Sequence, residues 1–294
     1  MHKYMRAIGF SEYTDRKKLK KLLQTIITDA DEREYAVSKE HVIQGVFYKS
    51  FADRIGIALY GEFDESENFI YDYYFPYLKS YDVTTTEDVN IERHAARESY
   101  AGICDDLNVG ISLIFYLQNM IPYVREMVLD RLPIRGTTLT LTGLSTSGTI
   151  LMPIQKTELQ KARVKKDTTN RNNLLAAARQ GDENAMESLT LEDMDMYTTI
   201  SRRIRKEDVF SMVDTYFMPY GMECDQYSVL GEILNVGKTK NKITGEEIYL
   251  LKICCNELTF DIAINIMDLL GEPEVGRRFK GSLWLQGKIN FPFQ

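Results

Sequence analysis

An alternation of apolar and polar residues with a period of two runs through most of this chain and constrains its fold more than any other feature. It extends from about residue 35 to 155 and returns from residue 226 to the end. Because successive side chains of a strand point to opposite faces, this period predicts strands with one buried face. Short connecting clusters such as DESEN and DDLN favour antiparallel pairing. In the first of these regions strands are predicted over residues 41–49, 54–63, 68–78, 91–103, 109–119, 136–144 and 148–154.

The N-terminal region contains one clear helical pattern. Residues 1–10 predict a short strand, and the pattern then changes to the period of a helix, with Thr14 as the expected N-cap. The lysines that follow occupy one side, which predicts a solvated face rather than a phosphate-binding one. The apolar residues form a single stripe that consists of Leu19, Leu22, Leu23, Ile26 and Ile27.

The segment from residue 156 to 222 differs from its neighbours in charge and period. It opens basic, turns acidic and becomes basic again, which predicts exposed helices that end at Pro219 and Gly221. About five strands follow in roughly 70 residues, which suits a small Greek-key or OB-like barrel. The predicted fold class is therefore α+β. Its three parts are an antiparallel β-rich domain at 1–155, a charged helical connector at 156–222 and a small C-terminal β-barrel at 223–294.

The charge balance and the apolar segments limit the location and the partners. Thirty-six Lys and Arg residues against 43 Asp and Glu residues give a net charge of -7, which argues against a surface that coats nucleic acid or anionic lipid. The longest uncharged run, 136–155, is too rich in Thr, Ser and Gly to span a bilayer, and the N-terminus lacks the apolar segment of a secretory signal. The four cysteines show no disulfide spacing. We predict a cytoplasmic protein without a membrane segment and leave its oligomeric state open.

Three stretches of the chain resemble a known family. They are MHKYMRAIGF at 1–10, SRRIRKEDVFSMVDTYFMPYG at 201–221, and CNELTFDIAIN with DLLGEPEVGRRFKGSLWLQG at 255–287. Together they are similar to a domain-of-unknown-function family from Gram-positive bacteria, and the resemblance covers nearly the whole chain. It implies a bacterial cytoplasmic protein and carries no activity, cofactor or site residue with it.

Motifs for catalysis are imitated but not completed. Segment 231–239 resembles a phosphate-binding loop, but five residues separate its glycines where the motif has four, and the intervening residues are strand-like. Ser145 and Ser147 lie in GLSTSG, which imitates a nucleophile elbow but lacks its second glycine, and apolar runs on both sides predict a hairpin connection. The histidines and cysteines have no metal-binding spacing. We predict no catalytic residue, no metal and no cofactor.

Two groups of residues are candidates for ligand binding. The first is a row of aromatic residues on one face of a predicted strand, which could stack on sugars or bases, although cross-strand packing also explains it. It consists of Phe69, Tyr71, Tyr73, Phe75 and Tyr77. The second could contact nucleic acid or an acidic peptide, although Glu272 and Glu274 favour a local ion-paired turn. It consists of Arg277, Arg278, Phe279, Lys280 and Trp284.

Trp284 is the only tryptophan, and its strand predicts where it points. Alternation places Leu283 and Leu285 inside a barrel and Trp284 outside, where it covers a neighbouring domain or faces a ligand. We favour the domain contact. The expected partners are Tyr216, Phe217 and Tyr220 at the end of the connector.

Three functional hypotheses follow. The first is a non-enzymatic cytoplasmic interaction or scaffold protein whose partner is another protein. The second is a binder of single-stranded nucleic acid through an OB-like barrel, which the negative net charge disfavours. The third is an enzyme with a site between its domains, because convergent sites leave no linear pattern.

Overall fold

The protein is mainly β, with one four-stranded sheet and a larger sheet that closes on itself. The computed structural model describes residues 2–39, 41–93, 99–106, 111–154, 166, 169–171, 173–178, 180–203, 210 and 213–292. The strands are β1 (Glu32–Val37), β2 (Ile43–Ala52), β3 (Ile55–Phe63), β4 (Phe69–Leu78), β5 (Val89–Arg93), β6 (Tyr100–Asp105), β7 (Ser112–Leu117), β8 (Thr138–Leu151), β9 (Tyr216–Pro219), β10 (Gln226–Lys240), β11 (Glu247–Cys255), β12 (Leu258–Asn265), β13 (Leu269–Leu270) and β14 (Arg278–Asn290). The helices include α1 (Arg16–Thr28), α2 (Met120–Val128), α3 (Glu183–Arg203) and two 3-10 helices, Lys3–Ile8 and Ile266–Asp268.

The two sheets are built mostly from antiparallel pairs. Strands β1, β2, β3 and β4 form the first sheet in sequence order. Five further strands close into a barrel in the order β8, β12, β11, β10, β14 and back to β8. Only the β8–β12 pair in this ring is parallel, because a closed ring with an odd number of strands cannot alternate throughout. The predicted antiparallel sheet and small barrel are therefore confirmed at this level.

The barrel draws one of its five strands from outside the predicted C-terminal part. Strand β8 lies before residue 155 in the chain, and it pairs with β14 along its whole length and with β12. Strand β14 also extends past the end of its pairing with β10, and there Gln286 and Gly287 pair with β7. The domain boundaries at 155 and 222 stay a prediction. The barrel contains strands from both sides of residue 155.

Strand β14 separates two groups of buried side chains. Leu283 and Leu285 belong to the group that fills the barrel, whereas Trp284 belongs to the group between the barrel, the first sheet and α1. The predicted alternation of these three residues agrees with the structure. An ion pair of 2.7 Å between Arg54 and the buried Asp261 also joins the turn after β2 to the barrel.

The N-terminal residues form a 3-10 helix where the sequence predicts a strand. The imidazole of His2 accepts a hydrogen bond from the backbone N–H of Tyr4 and caps the helix, which ends at Gly9 with φ of 82°. A Cβ at Gly9 would approach Asn241 to 2.9 Å, so the left-handed turn and the close contact both require glycine. The predicted helix that follows is confirmed as α1, although Asp15 caps it and not Thr14.

Strand β8 is continuous where the sequence predicts two strands and a hairpin. Ser145 donates to the backbone carbonyl of Ser282 at 2.7 Å, and the hydroxyls of Ser147 and Ser282 lie 3.1 Å apart. These short polar side chains bond across to β14, where the two strands approach so closely that a Cβ at Gly281 would lie 2.6 Å from the carbonyl oxygen of Ser147. The residues that resemble a turn are therefore strand residues on a polar stretch of the barrel.

Other predicted elements differ in their limits. The single strand predicted at 91–103 is divided between β5 and β6, and residues 94–98 lie outside the described residues. Helix α2 is absent from the prediction, and its apolar residues Met120, Ile121 and Val124 are buried. In the connector, residues 169–171, 173–178 and 183–203 are helical as predicted, but the expected helix near 216 is instead strand β9, which pairs with β10. The basic opening at 156–165 lies outside the described residues.

Candidate functional site

The basic residues near the start of β14 do not form a common surface. The guanidinium of Arg278 is buried and donates to the backbone carbonyls of Met152, Phe210 and Val213 at 2.8–3.0 Å. Phe279 is fully buried in the barrel. The structure thus gives these two candidate residues packing roles within the fold.

The neighbours of this pair make local contacts. Arg277 forms an ion pair of 2.9 Å with Glu274 and donates to the carbonyl of Glu272, as the ion-paired turn interpretation expects. The ammonium of Lys280 lies 4.1 Å from the ring centroid of Phe210. Of the five residues in this candidate group, only Trp284 lines one of the cavities described below.

The aromatic row on β4 is divided between two faces by a β-bulge. Tyr73 pairs with Tyr60 and Tyr71 pairs with the next residue, Gly61, so Asp72 is the extra residue of the bulge. Phe69 consequently stacks on Phe47 on one side of the sheet. On the other side are Tyr73, Phe75 and Tyr77, whose rings contact Tyr60, Tyr116 and Tyr48, respectively.

Residues from both candidate groups meet at one cavity, which we call the Trp284 cavity. It has a volume of about 650 Å³ and lies between β4, β14, the N-terminal 3-10 helix and the loop before β10. Tyr73 and Phe75 come from the aromatic row, and Trp284 comes from the group on β14. Its lining residues are His2, Lys3, Tyr4, Asp72, Tyr73, Tyr74, Phe75, Ser99, Tyr116, Glu223, Asp225, Gln226 and Trp284.

Trp284 is held by rings on several sides and by one hydrogen bond. Its indole ring stacks on Tyr4 with centroids 5.5 Å apart, and it lies 4.7 Å from the ring of His2 and 5.0 Å from that of Tyr116. Its Nε1–H donates to Oδ2 of Asp225 at 2.6 Å. These contacts fix the ring orientation and place a carboxylate beside it. The neighbours differ from the predicted ones, since Phe217 lies in the barrel interior.

The N-terminal helix is fastened to both sides of this cavity. The backbone N–H of His2 donates to the hydroxyl of Tyr74 on β4 at 2.9 Å. On the barrel side, Arg6 forms an ion pair of 2.5 Å with Asp268, and Asn241 donates to the carbonyl of Ile8. Tyr4 is thereby held against Trp284 by contacts at both ends of its helix.

Among the described residues that line the cavity, most of the charged side chains are acidic. Asp72, Glu223 and Asp225 all line it, and the positive charge at its rim is Lys3, whose ammonium lies 5.3 Å from the Tyr4 ring centroid. Burial raises the pKa of Tyr4, and the negative charges of Asp225 and Glu223 raise it further. Tyr4 therefore stays neutral near pH 7.

A second, smaller cavity shares Phe75 with the Trp284 cavity, and we call it the Lys79 cavity. It has a volume of about 180 Å³. The ammonium of Lys79 lies 5.5 Å from the ring centroid of Tyr48 and 5.7 Å from that of Tyr77, and it forms an ion pair of 2.9 Å with Glu32. Burial is the largest influence on the pKa of Lys79 and lowers it, but the hydrogen bond to Glu32 and the charges of Tyr77, Glu32 and Tyr81 together outweigh burial, and the pKa is raised. Two tyrosine rings and a carboxylate of this cavity therefore contact an ammonium group that belongs to the chain itself.

The imitated motifs have structural roles. Residues 231–239 lie within β10, in agreement with the strand interpretation, and Ser145 lies within β8. Cys104 and Cys255 are free thiols, and burial raises the pKa of each to about 12, which keeps them protonated. Within the described part of the chain, no group of three His, Cys, Asp or Glu side chains is placed to hold a metal ion.

Sequence analysis found three residues of the Trp284 cavity and missed the others. Tyr4 and Tyr116 belong to elements far apart in the chain, and Asp225 lies in a loop without any motif. No local pattern could identify them, because the cavity forms only where the N-terminal helix crosses between the two sheets.

The fold and the cavity define a β-rich protein with a closed five-stranded barrel and an acidic aromatic cavity on its outer face. Residues 5–287 match the family described as "Domain of unknown function, E. rectale Gene description (DUF3881)", and the chain belongs to this family. Comparisons with the curated proteins and with the solved structures gave no match. None of the helices in the described ranges is long and apolar enough to cross a membrane.

Proposed function

We propose that this protein is a non-enzymatic binding protein that holds an organic ammonium ion in the Trp284 cavity. The observation that carries the proposal is the composition of this cavity, in which six aromatic side chains and three carboxylates surround about 650 Å³. A cation over an aromatic face gains about 0.5–2 kcal/mol from the ring quadrupole. Carboxylates beside the rings add charge attraction, and the low polarity of the rings strengthens it.

The Lys79 cavity supports this choice of ligand class. There, Tyr48, Tyr77 and Glu32 surround a primary ammonium on an alkyl chain. The Trp284 cavity offers the same groups in a larger volume, with Tyr4, Trp284 and Asp225 as the counterparts. The same chemistry therefore predicts that the Trp284 cavity binds an ammonium ion that does not belong to the chain.

The test uses Trp284 as its own reporter, because it is the only tryptophan in the chain. We expect n-butylammonium to change its fluorescence in a saturable way, with a Kd on the order of 1–10 mM. Sodium chloride at equal ionic strength and n-butanol serve as controls, since n-butanol has the same chain without the charge. An equal response to n-butanol would mean that the cavity accepts apolar chains without regard to charge, and the proposal would be wrong.

A matched pair of variants locates the effect. Asp225→Asn keeps a carbonyl oxygen that can accept from Trp284 Nε1 but removes the negative charge, so n-butylammonium should bind about tenfold more weakly. Glu272→Gln removes a charge at an exposed position that does not line the cavity, and it should leave the affinity unchanged. An equal loss in both variants would indicate a general effect of net charge.

We further propose that the barrel is OB-like, that the natural partner is another protein, and that the location is the bacterial cytoplasm. The closed ring of five strands, which includes the meander β10–β11–β12, supports the first point. The free thiols of Cys104, Cys254 and Cys255 support a reducing compartment. The division at 155 and 222 is tested by limited trypsin digestion, which should cut near Lys165, outside the described residues, or near Arg171.

A further inference from the structure

We propose that the ammonium held in the Trp284 cavity is the side chain of a lysine in an exposed segment of a partner protein. This inference rests on the proposed function and names its ligand more closely. Its physical basis is the loop at residues 220–226, which we call the rim loop and which contributes Glu223 and Asp225 to the cavity.

The rim loop presents apolar side chains to solvent beside the carboxylates. Met222 is fully exposed at 100% and Tyr220 is 52% exposed. The loop is closed by a hydrogen bond of 2.8 Å from the backbone N–H of Tyr220 to the carbonyl of Gln226, so these side chains stand on an ordered turn. Tyr220 is also close enough to influence the pKa of Tyr4 inside the cavity. A small free amine would contact only the cavity, whereas a peptide chain at its mouth would also cover this apolar rim.

The chain itself shows that a lysine suits such a site. Lys79 follows directly after β4, and its ammonium lies within 6 Å of the centroids of two tyrosine rings and forms an ion pair with a carboxylate. A lysine of a partner would enter the Trp284 cavity in the same manner. The negative net charge of -7 and the acidic rim favour a partner segment that is basic.

The first experiment compares three probes on the full-length protein by Trp284 fluorescence. They are n-butylammonium, a twelve-residue peptide with one lysine flanked by apolar residues, and the same peptide with norleucine in place of lysine. We expect the lysine peptide to bind at least about tenfold more tightly than n-butylammonium, and the norleucine peptide to bind at least about tenfold more weakly than the lysine peptide.

The outcomes separate this inference from the proposed function. If n-butylammonium binds and the lysine peptide binds no better, the partner inference is wrong and the proposed function stands. If neither binds, both are wrong. The protein is also measured without any probe at rising concentration. If the wavelength of its Trp284 emission maximum shifts, a second copy of this chain supplies the lysine, and the assignment to another protein is overturned.

A variant of the rim tests the contribution of the apolar side chains. Met222→Ser should weaken binding of the lysine peptide by about fivefold and leave binding of n-butylammonium unchanged. Met267→Ser is the matched control, since Met267 is 76% exposed at a position away from this loop. An equal loss for both ligands in the rim variant would show that the cavity itself had changed, and a loss for neither would show that no peptide chain lies on the rim.

Discussion

The two cavities that share Phe75 contain the same kinds of groups and differ in their volume and in the place of the chain's own lysine. In the Lys79 cavity, the ammonium between Tyr48 and Tyr77 belongs to the chain, and its ion pair with Glu32 completes the site. In the Trp284 cavity, the rings and carboxylates surround a volume more than three times as large, and Lys3 contacts Tyr4 only at the rim. In the smaller cavity the ion pair of Lys79 with Glu32 contributes to the fold, whereas we propose that the larger cavity takes its cation from outside the chain.

The largest expected effect comes from removing the ring that the Trp284 cavity shares with the core. Trp284→Ala should lower the free energy of unfolding by about 3 kcal/mol, because the side chain is 5% exposed and packs on Tyr4 and Tyr116. Urea unfolding followed by circular dichroism measures this change. Trp284→Phe keeps an aromatic ring and loses the hydrogen bond to Asp225, so it should cost about 1 kcal/mol. An alanine variant as stable as the wild type would show that the ring is not part of this core.

A second experiment converts the smaller cavity into an open one. Lys79→Ala should lower the free energy of unfolding by up to about 1 kcal/mol, since the Lys79–Glu32 pair is partly exposed. The atoms removed correspond to n-propylammonium, which should therefore raise the melting temperature of this variant more than that of the wild type. Lys79→Met fills the space without charge and should show no such excess. If n-propylammonium raises the melting temperature of Lys79→Ala no more than that of the wild type, the rings and carboxylate of this cavity do not bind a free ammonium ion, and the comparison with the Trp284 cavity would be wrong.

Glu34 also lines the Lys79 cavity and predicts a dependence of stability on pH. Burial is the main cause that raises the pKa of Glu34, and the neighbouring charge of Glu32 adds to it. A carboxyl whose folded-state pKa is raised favours folding at low pH, and this contribution is lost as the pH rises through the folded pKa. Glu34→Gln should therefore raise the free energy of unfolding by about 0.5 kcal/mol at pH 7, with no gain below about pH 4. Thermal unfolding at both pH values measures the difference, and an equal gain at both would exclude titration as its cause.

The smallest expected effect concerns the cation at the rim of the larger cavity. Lys3 is exposed and lies beside Tyr4, so its charge opposes the entry of a second cation. Lys3→Gln should tighten n-butylammonium binding by about twofold at low salt, and the difference should disappear near 1 M salt, where the Debye length is about 3 Å. Binding that weakens in this variant would assign Lys3 to the ligand contact itself.

Local patterns predicted the parts of the fold that local geometry controls. The apolar stripe of α1 was recognised because side chains three and four positions apart share a helix face. Leu283, Trp284 and Leu285 were assigned to the correct sides of β14 for the corresponding reason in a strand. Prediction failed at β8, where Ser145 and Ser147 resemble turn residues, because their hydrogen bonds are made to a strand more than 130 residues away.

The aromatic row on β4 marks the same limit at the candidate site. The sequence places Tyr71 and Tyr73 on one face, and the structure places a bulge at Asp72 between them. A bulge depends on the register with the partner strand, which the sequence of one strand does not contain. The presence of an aromatic row could therefore be predicted, but its division between two faces could not.

The sequence by itself determined the periods, most of the antiparallel strands, the presence of a small barrel and the outward direction of Trp284. These properties follow from the alternation of side chains along each element, which is a property of neighbouring residues. The tertiary structure alone decided that β8 would close the barrel and that Tyr4, Phe75, Asp225 and Trp284 would surround one cavity. These residues are up to 280 positions apart, and only the packing of the first sheet against the outer face of the barrel brings their side chains together.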